Sequence, residues 1–95
     1  MKSLAGMSIL ITGGGSGLGL GAARYFVAAG AKVTICGRRA DKIREAAAEL
    51  GSSCLGVPAD ITVAADRERL MAAAVEHGDG LGAVSYTHLR AHETS

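Results

Sequence analysis

The chain has 95 residues, 48% hydrophobic and 20% charged, which fits one small globular domain or a piece of a larger one and excludes a disordered or fibrous chain. Ten Lys and Arg against nine Asp and Glu leave a net charge of +1, which excludes the broad basic footprint of a nucleic-acid binder. No apolar run approaches the ~20 residues of a membrane span, and Met1-Lys2-Ser3-Leu4 is too short for a secretory leader. Cys36 and Cys54 lack CxxC spacing, so no zinc or redox motif is present. These observations lead us to expect a cytoplasmic protein with no membrane or nucleic-acid partner.

In chain order, Ser8–Thr12 is a continuous apolar run flanked by Gly6 and a glycine loop, which predicts a buried strand. A helix is predicted from Gly17 to Ala29, stopped by Gly30, with Leu18, Ala22, Tyr25, Phe26 and Ala29 on its buried face. Lys32–Cys36 reads as a second strand. Asp41 to Leu50 reads as a helix, with Ile43, Ala46, Ala47 and Leu50 on one stripe and Gly51 as its stop. Cys54–Val57 is a third strand closed by Pro58, and Thr62 is expected to N-cap a helix running from Val63 to about Glu76. His77, near that helix's C-terminus, is read as a dipole-compatible cap rather than a ligand. Leu81–Ser85 completes the set as a fourth strand.

Strand–helix alternation predicts an α/β fold of parallel βαβ units. Right-handed crossovers then give a three-layer, Rossmann-type doubly wound sheet in the order 3-2-1-4, incomplete at about four strands and three helices. A ligand crevice belongs where the winding reverses, between strands 1 and 4.

The glycine loop stands at that point. Five glycines among residues 13–19 join a strand to a helix, where backbone N–H groups and the positive end of the helix dipole can hold a pyrophosphate. Gly13, Ser16, Gly17, Leu18 and Gly19 are therefore candidate cofactor-binding residues. No Gly-Lys-Ser/Thr follows, which excludes a Walker P-loop. After strand 2 an acidic residue would accept the ribose hydroxyls of NAD. Here Gly37-Arg38-Arg39 stands instead, and Arg38 or Arg39 can hold the 2′-phosphate of NADP by charge-assisted bonds. NADP is the preferred cofactor on this reading, with NAD the alternative. Asp60, at the end of strand 3, can accept from the adenine amino group or cap the next helix with Thr62.

Together the Thr12–Gly19 loop, Gly37-Arg38 and Asp60-Ile61-Thr62 resemble the N-terminal third of a short-chain dehydrogenase/reductase, over about Leu4 to Ala83. The resemblance implies a nicotinamide-dependent oxidoreductase that transfers a hydride to or from a small carbonyl or alcohol, in a parent that is commonly a homo-oligomer. It implies that Gly13, Gly17 and Gly19 shape the pyrophosphate loop, that Arg38 marks NADP preference, and that Asp60 and Ile61 meet the adenine. Ser16 departs from members with a basic residue there.

The remainder departs further. The family continues into an Asn-Asn-Ala-Gly motif and, later, a catalytic Ser and Tyr-x-x-x-Lys. Here Ser85-Tyr86-Thr87-His88-Leu89 follows, and Tyr25 and Tyr86 have Ala29 and Arg90 four residues on. No catalytic residue is assigned. Residues 1–84 are expected to form a partial dinucleotide-binding domain and 85–95 a non-family tail resembling translated adapter sequence. His88, His92 and Glu93 are read as solvated rather than as metal ligands. The alternatives to an enzyme fragment are a non-catalytic dinucleotide-binding module and an unstable, inactive truncation product.

Overall fold

The computed structural model describes residues 6–13, 17–77 and 84–88. Its elements are β1 (Ser8–Thr12), α1 (Gly17–Ala28), β2 (Lys32–Gly37), α2 (Ala40–Leu50), β3 (Cys54–Pro58), α3 (Ala64–His77) and β4 (Val84–His88). The strands form one parallel sheet in the order β3-β2-β1-β4, as the alternation predicted.

All five residues of β1 are buried because helices cover both faces, and a parallel strand covered this way reads as a continuous apolar run. Period-two alternation sends Ile9 and Ile11 into a core with Val33, Ile35, Ala23 of α1, and Ile43 and Ala46 of α2. Leu10 goes to the opposite face with Cys36, Val57 and Leu70 of α3. Burial pushes the Cys36 and Cys54 thiols up to about 11, so both are neutral thiols at neutral pH.

The buried face of α1 matches the expected one at Ala22 and Phe26, which pack on the core, and differs elsewhere. Ala23 is fully buried, Gly19 is buried, and Phe26 and Val27 pack on the core, whereas Tyr25 is 59% exposed. Small residues let the helix lie close to the sheet, and a count of large apolar side chains misses that. Tyr25 lies outside this face, its ring edge-on to Phe26 at 5.4 Å.

Gly30 ends α1 as expected, with φ +99°. The Ala31 N–H donates to the Phe26 carbonyl at 3.1 Å and the Gly30 N–H to the Val27 carbonyl at 3.0 Å, the paired closure of a Schellman motif. A side chain at this φ is strained, so Gly30→Ala is expected to cost about 1 kcal/mol. A urea midpoint unchanged by that substitution would contradict this reading of the cap.

The α2 stripe is as predicted: Ile43 and Ala46 are buried, and Ala47 and Leu50 pack at the edge. Gly56 in β3 makes the fit possible. A Cβ there would lie 2.9 Å from both Cγ2 and the carbonyl oxygen of Ile43, and 3.0 Å from Cβ of Ala47.

Two expectations are corrected. Thr62 does not occupy the N-cap of α3, which begins at Ala64; its N–H and hydroxyl both donate to Asp60 Oδ1 instead. His77 lies in the last turn of α3 as expected, and it also bonds through Nε2 to the Ser53 carbonyl at 2.9 Å, tying the helix end to the start of β3. The strand expected over 81–85 is found at Val84–His88, in register with Ser8–Thr12; residues 81–83 lie outside the described residues. Ser85, Tyr86, Thr87 and His88, expected in the tail, therefore carry the β1 ladder. Ladder bonds are made by backbone groups, and Val, Tyr and Thr all suit a strand.

Candidate functional site

Parallel strands end together. The register pairs Thr12 with Cys36 and with His88, and Gly37 with Pro58, so the loops after β1, β2 and β3 emerge along one edge of the sheet. This is where an open α/β sheet places its ligands.

Gly13 adds one bond beyond the β1 strand, its N–H donating to the Cys36 carbonyl at 2.8 Å, and turns the chain with φ +76°. Gly17 opens α1, and a Cβ built on it would meet nothing within 4 Å. Leu18 and Gly19 complete the first turn, and no acidic side chain lies there to offset the positive end of the helix. Ser16 lies outside the described residues. The arrangement suits an anion held by backbone N–H groups.

The loop after β3 is tied to the end of β2 by the Ala59 N–H, which donates to the Gly37 carbonyl at 2.9 Å. Gly37 leaves little room on its α2 side, since a Cβ would lie 3.1 Å from Ile43 Cδ1. The two arginines that follow diverge. Arg38 lines a cleft of about 310 Å³ together with Pro58, Ala59, Asp60 and Asp66. Arg39 occupies the N-cap of α2 without a side-chain cap bond and pairs with Asp41 at 3.8 Å, both side chains exposed. A solvated pair of this kind adds little to stability.

Asp60 closes a local turn with Thr62 and faces the cleft. Its Oδ1 accepts from the Thr62 N–H at 2.9 Å and the Thr62 hydroxyl at 2.6 Å, and its residue also lines the cleft. The Thr62 bonds, with a smaller contribution from the nearby Arg38 guanidinium, hold its carboxyl below the usual carboxylate range. Asp60 is consequently an acceptor at neutral pH. Ile61 is divided: its side chain packs against the Leu10–Leu70 core, and its carbonyl accepts from Arg67 at 2.8 Å.

Sequence reasoning missed Asp66. Its Oδ2 accepts the backbone N–H of Asp60 at 2.8 Å, and its Oδ1 lies 3.5 Å from Arg69, which in turn donates to the Pro58 carbonyl at 2.9 Å. The available signal was an acid at the third helical position, where a side chain can reach back to a free N–H before the helix.

A sequence model of the short chain dehydrogenases matches residues 7–86. The chain is 41% identical over 70 residues to the oxidoreductase asL5 of Sarocladium schorii, covering 74% of this chain and 28% of that protein. Among solved structures, it resembles a 3-ketoacyl-(acyl-carrier-protein) reductase from Brucella melitensis complexed with NADH, with a TM-score of 0.78 and 42% identity over 81% of this chain and 32% of that one. It also resembles the Pseudomonas aeruginosa RhlG/NADP active-site complex, with a TM-score of 0.68 and 39% identity over 78% of this chain and 30% of that one. The chain spans between 22% and 28% of the length of three curated relatives that it matches.

Proposed function

The chain belongs to the short chain dehydrogenase family, and from that premise we propose that it is the cofactor-binding portion of an oxidoreductase that uses NADP in preference to NAD. The observation that supports the cofactor reading is the cleft lined by both Arg38 and Asp60. On this reading the first turn of α1 faces the pyrophosphate, Arg38 binds the 2′-phosphate, and Asp60 accepts from the adenine amino group. No carboxylate follows β2 at the position of Arg38 to repel that phosphate.

The bound dinucleotide supplies or takes up a hydride, exchanged with a small carbonyl or alcohol in the whole enzyme. The residues of this chain bind and orient the adenosine end. Chemistry of this class needs a positioned general acid/base, and the Tyr-x-x-x-Lys pair that serves as one in the family is not found in these 95 residues. The proposal therefore assigns the chain binding without turnover. Calorimetric titration of the chain with NADP and NAD tests it, the expected result being binding of both with NADP tighter. If neither bound, the proposal would fall.

A further inference from the structure

We propose that Asp66 is a positioning residue for the adenosine end of the site, acting through Asp60; the inference rests on the dinucleotide reading above. Asp60 follows β3, where the sheet no longer holds its backbone. Among the described residues, the bond to Asp66 Oδ2 at 2.8 Å is the one that fixes the Asp60 N–H. The carboxylate that accepts it is itself held. Asp66 sits in the first turn of α3, whose dipole favours an anion, and Arg69 lies 3.5 Å from its other oxygen while bonding to the Pro58 carbonyl. Thr62 fixes the Asp60 side chain from the other side. The α3 turn thus sets the orientation of the Asp60 carboxylate relative to Arg38 across the cleft. Asp66 also lines the cleft, but both of its oxygens are engaged, so holding the loop is its role.

A charge-assisted bond to a backbone N–H is strong enough that its loss changes binding by about tenfold or more. The test uses the full chain and two probes: adenosine 2′,5′-bisphosphate, which has the adenine and the 2′-phosphate, and inorganic pyrophosphate, which has neither. Asp66→Ala is expected to weaken the bisphosphate about tenfold and leave pyrophosphate within about twofold. Asp66→Asn, whose amide oxygen can accept the same bond, is expected to restore the bisphosphate to within about threefold. General loosening of the fold would weaken both probes, and that result overturns the inference. So does bisphosphate binding by Asp66→Ala equal to that of the unaltered chain, or failure of Asp66→Asn to rescue. Absence of bisphosphate binding by the unaltered chain would instead overturn the dinucleotide reading itself.

Discussion

Replacing Arg38 by Asp is expected to weaken binding of NADP by a factor on the order of 100 while leaving NAD bound at least as well. The substitution removes the guanidinium from the cleft and places a carboxylate near Asp60, which is ionised at neutral pH. The 2′-phosphate then loses its charge-assisted bonds and gains a like charge. NAD has no such phosphate, and its ribose hydroxyls can donate to the new carboxylate. Arg38→Lys should fall between the two, because it keeps the charge and loses the planar fork. The comparison is a pair of dissociation constants for each variant. An equal loss for NADP and NAD would show that Arg38 acts on the site as a whole. A full effect from Arg39→Asp and none from Arg38→Asp would move the assignment to the residue that now pairs with Asp41.

Gly56→Val is expected to cost about 3 kcal/mol, the upper part of the range for overpacking a closed core. The Cβ alone meets Ile43 Cγ2 and the Ile43 carbonyl oxygen at 2.9 Å, and Ala47 Cβ at 3.0 Å. The carbonyl is backbone, so no rotamer change relieves the contact; α2 must move away from β3. Ile43 also lies 3.1 Å from the Cβ position of Gly37, and the shift therefore reaches the residue that leads into Arg38. Domains of ordinary stability have about 5–15 kcal/mol in hand, so the variant should show a large fall in urea midpoint and weaker NADP binding together. A midpoint within error of the parent would mean that β3 and α2 are not in this contact in solution.

Much of the fold was readable because parallel βαβ units have a strong local signature. Ile9, Leu10 and Ile11 declare a strand buried on both faces, Gly30 and Gly51 mark helix ends, and handedness then allows one strand order. Helix faces were less readable where small residues form the contact. Ala23 and Gly19 carry little hydrophobic signal, yet they lie against the sheet, while the more conspicuous Tyr25 faces water. Gly56 gave no sequence signal at all. A glycine in a strand shows its purpose only once the helix above it is in place.

The division is similar at the candidate site. Sequence alone determined the glycine turn, the basic pair after β2 and the acid after β3, because each follows a strand end at a characteristic spacing, and the family match over residues 7–86 agrees with that pattern. Residue chemistry alone could not separate Arg38 from Arg39, which are adjacent and identical, although the family resemblance pointed to Arg38. The tertiary structure separates them, since one side chain lines the cleft with Asp60 and the other meets Asp41 of its own helix. Nor could it connect Asp66 to Asp60. That link depends on how α3 leaves the sheet, and the N–H that Asp66 receives became available only because β3 had ended. Local sequence sets which backbone groups are left unpaired at the end of a strand, and the packing of the next helix decides which side chain reaches them.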